Sequence, residues 1–274
     1  MEFALKKWLI LGIFILCFLS MIHFNIFAPT KMINTFASSD SIKIISYNIH
    51  YGMNIKRQPI LDNILSFLKS SDSDIIFLQE VDHKTFRSYF QNQPEYIIKK
   101  LSMDYMYTPT QNMVTGQTGN MMISRYPIVS SEEYTLSFDK YPRKMQKSVV
   151  QTPFGDLAIF NTHLDLSRSV RKKQIDEIVK ILEETKEPFV LAGDMNAPDP
   201  SELYKLSSLA IDTGKAMEKE NIPTFINKKY KSRIDYIFIS NGISLQSYEV
   251  PSLTLSDHEP VIIEIQCQSY RSEK

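Results

Sequence analysis

Side chains able to bind a cation or move a proton recur where apolar runs end in this sequence. IKIISYNIHYG ends its run at Asn48, DIIFLQEVD at Glu80, LAIFNTHLD at Asn161, His163 and Asp165, and FVLAGDMN at Asp194 and Asn196. RIDYIFIS opens one at Asp235, and TLSDHEPVIIEI opens another at Asp257 and His258. Each is ordinary alone. Asp, Asn and Pro favour turns, and LAGDMNAPDP by itself reads as an Asx-type turn stiffened by Pro198 and Pro200. Together they form a set of hard oxygen donors with two imidazoles. Magnesium takes one or two carboxylates plus waters and phosphate oxygens. No thiolate cluster competes, because Cys267 is the only cysteine besides Cys17. The histidines are too far apart for a helical zinc motif. Phosphate-ester cleavage needs a metal, an activated water and a proton donor for the leaving oxygen, and this inventory holds a candidate for each.

These residues need strands to carry them. Short apolar runs rich in β-branched and aromatic residues predict strands at Ile42–Tyr47, Ile75–Leu78, Met121–Ser124, Ser148–Gln151, Leu157–Asn161, Phe189–Ala192, Ile234–Ile239 and Val261–Ile265. Several are continuously apolar, as expected of strands buried on both faces. Helical spacing appears in Ile60, Leu61, Ile64, Leu65 and Leu68, in Val170, Ile175, Ile178, Ile181 and Leu182, and in Leu203, Leu206 and Leu209. The pattern predicts a layered α/β domain. No Pro/Gly/Ser-rich linker or repeat divides it.

The N-terminus differs. Lys6-Lys7 precede an apolar run from Trp8 to about Ala28, and roughly 20 apolar residues suffice to span a bilayer. The expected organisation is a cytoplasmic N-terminus (1–7), a transmembrane signal-anchor (8–28), a linker (29–41) and a catalytic domain (42–274). The leading lysines place that domain outside the cytoplasmic membrane; secretion after signal cleavage, near Thr35-Phe36-Ala37, is the alternative. The distant pair Cys17 and Cys267 gives no disulfide framework. Basic and acidic residues balance at 31 each, so bulk charge favours no polyanion.

The ordered series SYNIHYG, LQEVD, TGNMMISRYPI, FNTHLD, LAGDMNAPDP, RIDYIFIS and SDHEPV resembles the endonuclease/exonuclease/phosphatase superfamily from about Ile42 to Ile265. The resemblance is closest to its compact bacterial members and to the hydrolase-like domain associated with glycosylphosphatidylinositol remodelling. It implies a DNase I-like four-layer sandwich, two packed mixed sheets with helices outside. It also implies a magnesium site (manganese as substitute) with Glu80 as principal ligand beside Asn48 and Asp257. Asp194 resembles the residue that orients or deprotonates the attacking water, and Asn196 the amide that holds a phosphoryl oxygen. His258 resembles an imidazole paired with Asp235, and His163 the second imidazole. Asn120, with Arg171 and Arg233 from the basic clusters around 168–173 and 228–233, is expected to bind substrate. The third basic cluster is Lys140, Arg143, Lys144 and Lys147. Gln117 and Thr118 stand where nucleases of the family commonly place an aromatic hydroxyl. The expected substrate is a phosphate ester: a lipid headgroup or small molecule, with DNA or RNA as the alternative. A non-catalytic binding module is the contrasting expectation. No protein partner is implied; the membrane is the partner implied by the anchor.

Overall fold

A computed structural model of the protein describes residues 41–267 apart from residue 228. The expected signal-anchor and nearly all of the linker lie outside the described residues. Among the described residues no helix is long and apolar enough to cross a membrane. The described residues belong to one compact unit.

In chain order the unit runs β1 (Ile42–Asn48), α1 (Leu61–Ser70), β2 (Ile75–His83), α2 (Gln93–Leu101), β3 (Asp104–Asn112), β4 (Gln117–Ser124), β5 (Ile128–Leu136), β6 (Arg143–Thr152) and β7 (Gly155–His163). It continues with α3 (Arg168–Glu183), β8 (Phe189–Asp194), α4 (Tyr204–Leu209), β9 (Ala210–Asp212), α5 (Thr213–Ala216), β10 (Phe225–Ile226), β11 (Lys231–Ser232), β12 (Asp235–Ser240), β13 (Ile243–Glu249) and β14 (Val261–Cys267). One six-stranded sheet has the order β13-β14-β1-β2-β4-β3, and the other β5-β6-β7-β8-β12-β9. β1 and β2 pair in parallel, as do β7 and β8, within otherwise antiparallel sheets. This is the four-layer α/β sandwich that the sequence led us to expect.

Each predicted strand exists, and most are longer than their apolar runs. α2 is not among the helices expected from the sequence; its apolar face is short, with Pro94, Ile97 and Leu101 at helical spacing. Asn92 starts it, accepting from the Glu95 amide, with Pro94 and Glu95 in the first turn. The third expected helix is a 3₁₀ turn, Pro200–Leu203, running into the short α4.

Alternation along the strands sorts the side chains into three cores. Ile42, Ile44, Ile75 and Phe77 of the first sheet meet Val150, Ile159, Val190, Ala192, Ile237 and Ile239 of the second between the sheets. Ile45, Tyr47, Ile76 and Leu78 face outward onto Leu61, Ile64, Leu65 and Leu68 of α1. Phe160, Leu191 and Phe238 face outward onto Ile175, Ile178 and Leu182 of α3.

The middle layer changes character at one end. Following the same alternation, Ile44 leads through Ser46 to Asn48, Phe77 to Gln79, Met122 to Asn120 and Val150 to Gln146. On the second sheet Ile159 leads to Asn161 and His163, Ala192 to Asp194, and Ile237 to Asp235. All of these polar residues are buried. An amide ladder joins the sheets there: Gln79 Nε2 donates to Asn161 Oδ1 (2.8 Å), Asn161 Nδ2 to Gln146 Oε1 (3.0 Å), and Gln146 Nε2 to Thr108 Oγ1 (3.1 Å). These bonds offset most of the cost of burying polar groups in the layer, although Gln79 Oε1 is left without a partner.

Gly193, one residue before Asp194, is required by close approach. Its φ is +143°, and a Cβ there would lie 1.9 Å from the Thr162 carbonyl oxygen on β7. We expect Gly193→Ala to cost more than about 2 kcal/mol of unfolding free energy, measured by urea denaturation. A loss below about 0.5 kcal/mol, the scale of surface substitutions, would contradict this packing.

Candidate active site

Strand register brings the second sheet's acids and imidazoles together. His163 pairs with Asp194 across β7 and β8, and Asp235 with Asp194 across β8 and β12. Leu164 N donates to Asp194 O and Met195 N to Ile234 O, so the turn after β8 is fixed on both sides. Asn196, at φ +48°, donates its backbone N–H to Asp194 Oδ1 (2.9 Å) and its amide Nδ2 to Leu164 O (2.9 Å).

The Asp194 carboxylate is the hub. Its Oδ2 accepts from Asn48 Nδ2 at 3.1 Å and lies 3.4 Å from His163 Nε2 and 3.7 Å from His258 Nε2. On its other side His258 donates from Nδ1 to Asp235 Oδ2 at 2.8 Å, which leaves Nε2 turned toward Asp194. Ser256 fixes this segment by accepting from His258 N and donating to Asn48 O.

Burial and charge set the proton affinities. Burial, then the neighbouring Asp235, raises the Asp194 pKa to about 7, against the opposing pull of His258, the Asn196 N–H and Asn48. Burial acts to lower the His258 pKa, but the Asp235 and Asp194 carboxylates outweigh it and raise the value to about 10. His163 is held well below its ordinary value by burial, then by Arg143 and His258. At neutral pH the site therefore holds one imidazolium and one neutral imidazole around a carboxylate that can take a proton.

Glu80 reaches this group through a backbone irregularity. Alternation would point it outward with Leu78, but the β2–β4 register shifts between Leu78 and Val81, and Glu80 sits at φ +58°. The bulge re-aims the carboxylate, whose Oε1 accepts from Asn48 Nδ2 at 3.3 Å. Asp257 joins through His50: His50 N donates to Asn48 Oδ1 (3.0 Å), and His50 Nδ1 lies 3.8 Å from Asp257 Oδ1.

The donor set fits a divalent cation. Glu80 and Asp257 are carboxylates that remain partly open to solvent; Asn48 would add its amide oxygen by turning its side-chain amide, since Nδ2 faces Glu80 and Asp194 and Oδ1 accepts from His50 N. Asp194, Asp235 and His258 also offer ligand atoms within 4.8 Å of one another. In this second group His258 Nδ1 and Asp235 Oδ2 are engaged with each other, an arrangement that suits acid–base work.

Two expectations are corrected. Arg171 and Arg233 were expected to bind substrate, and both guanidinium groups are engaged elsewhere. Arg171 is buried, pairs in a fork with Glu202 and donates to the Asp165 and Leu166 carbonyls. Arg233 is paired with Asp212 and lies 4.2 Å over the Tyr236 ring. Asn120 is buried and donates to Lys144 O at 3.4 Å.

The structure brings in Arg143 instead. Its pKa is lowered, chiefly by burial, while Asp194, Asp165 and Glu80 act on it in the opposite sense. Its buried Nε has no hydrogen-bond partner. The sequence showed Arg143 only as one member of a basic cluster. Its place at the first residue of β6, antiparallel to the strand that ends at His163, is the signal that would have distinguished it.

Comparison with known proteins agrees with this fold. A family model described as "Endonuclease/Exonuclease/phosphatase family" matches residues 45–258. The protein YbhP of Escherichia coli (strain K12) is 26% identical over 243 residues, covering 82% of this chain and 96% of its own. Among solved structures, D. rerio TDP2 complexed with single strand DNA product superposes with a TM-score of 0.67 at 18% identity, over 83% of this chain and 99% of that one. The Bacteroides thetaiotaomicron mannosyl-6-phosphatase Bt3783 superposes with a TM-score of 0.63 at 21% identity, over 82% and 99%.

Proposed function

The chain belongs to the endonuclease/exonuclease/phosphatase family, and from that premise we propose that it is a magnesium-dependent hydrolase of phosphate esters, a phosphodiesterase or phosphatase held outside the cytoplasmic membrane by its N-terminal segment. The observation that carries the hydrolytic reading is the Asp194 carboxylate, buried, facing two imidazole Nε2 atoms at 3.4 and 3.7 Å and an amide donor at 3.1 Å. The apolar run from Trp8 to about Ala28 behind Lys6-Lys7 supports the tether.

Phosphoryl transfer asks mainly for positioning and charge neutralisation. Asp194, with its pKa near 7, takes a proton from the attacking water. Arg143, whose charge acts on Asp194 and Glu80, supplies positive charge for a phosphoryl oxygen. His258, held protonated by Asp235, stabilises the negative charge that develops. Neutral His163 positions the water or the leaving oxygen. Glu80, Asn48 and Asp257 would hold a divalent cation, which when bound would supply further charge neutralisation at the phosphate.

The family's fold serves different phosphate esters, as the two structural neighbours illustrate, so substrate class is a matter for assay. We expect the full chain with magnesium or manganese to cleave at least one ester among DNA, RNA, phospholipid and sugar-phosphate substrates. EDTA or Glu80→Ala should reduce turnover at least 100-fold. Absence of hydrolysis across that panel would leave the binding-module reading standing.

A further inference from the structure

An apolar, cationic tip stands beside the site. The loop after β2 folds back on itself, with Lys84 N donating to Gln91 O, and places Phe86 and Phe90 in edge contact at 5.9 Å. The turn between β3 and β4 lies against it. Phe86 N donates to Thr115 Oγ1 at 2.7 Å, and Gly116 is packed so closely on the His83 and Lys84 backbone that a Cβ would overlap it.

The two loops present their largest apolar groups to solvent: Phe86 is 74% exposed, Tyr89 69%, Phe90 56%, and Val114 fully. A third loop carries Ile55, 60% exposed, with Lys56 and Arg57. It follows Tyr51, whose ring is covered by Arg87 at 3.9 Å. Glu80 acts electrostatically on both Tyr51 and Arg87, which places this tip at the rim of the site.

The charge on the three loops is of one sign. Residues 51–58, 84–91 and 112–117 contain Lys56, Arg57, Lys84 and Arg87 and no Asp or Glu, in a chain whose acids and bases are equal in number. Arg87 is committed to Asp82. The other three flank the exposed apolar groups.

We propose that this tip docks on an anionic lipid surface, inserting Phe86, Phe90 and Val114 at the headgroup boundary while Lys56, Arg57 and Lys84 meet lipid phosphates. Interfacial binding needs this pairing of buried apolar area with cationic attraction. A single-stranded nucleic acid would use open aromatic faces. Here the two Phe rings are turned edge to face, and Ile55 and Val114 have no π face. The surface adds to the phosphoester reading without resting on it, because lipid contact is measurable with no hydrolysis.

The test uses the full chain. Trp8 is the only tryptophan, so Trp8→Phe combined with Val114→Trp places one fluorophore on the tip. A matched variant carries Val129→Trp, at an exposed position on β5 near Asp104, at the other end of β3 from the tip. In phosphatidylcholine–phosphatidylglycerol vesicles, brominated lipid should quench the residue 114 fluorophore at least twofold and leave that at 129 unquenched. The contrast should shrink in phosphatidylcholine alone and with Lys56, Arg57 and Lys84 changed to Gln. Equal quenching at both positions, or none at 114, overturns the proposal. So does a residue 114 emission that responds to a single-stranded oligonucleotide and not to vesicles, which would reassign the tip to nucleic acid.

Discussion

Asp194→Asn is expected to lower turnover about 1,000-fold or more while leaving the protein folded, within the range for losing a positioned general base. The expectation rests on the separation of roles at this residue. The carboxylate is raised to about 7 because it is buried beside Asp235, so its charged form is a burden on the folded state. An amide of the same shape removes that burden. It keeps the Asn196 N–H bond to Oδ1, and the new NH2 in place of Oδ2 meets the Asn48 Nδ2 donor, a mismatch relieved when the Asn48 amide turns. The melting temperature should be unchanged or slightly higher. A large drop would mean that the carboxylate mainly supports structure; near-wild-type turnover would mean that another group takes the proton.

His258→Ala is expected to reduce turnover by roughly 100- to 10,000-fold and to destabilise the protein. Asp235 and Asp194 are both buried, and His258 lies between them, 2.8 Å from the first and 3.7 Å from the second. Removing one partner of a buried ion pair typically costs about 3–5 kcal/mol because the remaining charge is uncompensated. Asp235→Asn separates the two effects: it leaves no buried carboxylate unpaired and still lowers turnover, since the imidazole loses the group that fixes its tautomer and charge. Stability should also depend on pH. The folded protein holds the His258 proton more tightly than the unfolded chain, with a pKa of about 10 against about 6.5 for free histidine. This contribution is complete below about pH 6.5 and is lost as pH rises through about 10. Melting curves across that range should show the decline in the wild type and a weaker one in Asp235→Asn. Equal slopes would show that the pair does not control this proton.

The amino-acid sequence by itself determined the chemistry available and most of its carriers. The apolar runs ending in Asn48, Glu80, His163, Asp194, Asp235 and His258, in that order, led to the family, the layered fold and the central acid–imidazole group. They were legible because strand periodicity and residue type are local properties. The tertiary structure decided which polar groups face the site and which are engaged elsewhere. Arg171 and Arg233 lie next to motif residues in sequence, yet Glu202 and Asp212 hold them. Arg143 lies far from those motifs and reaches the site because β6 runs antiparallel beside β7. Glu80 needed a bulge to turn inward, and the Phe86–Val114 tip needed two loops to meet across β2 and β4. An ion pair, a strand pairing and a bulge are each fixed by contacts between distant segments, and no spacing along the chain encodes them.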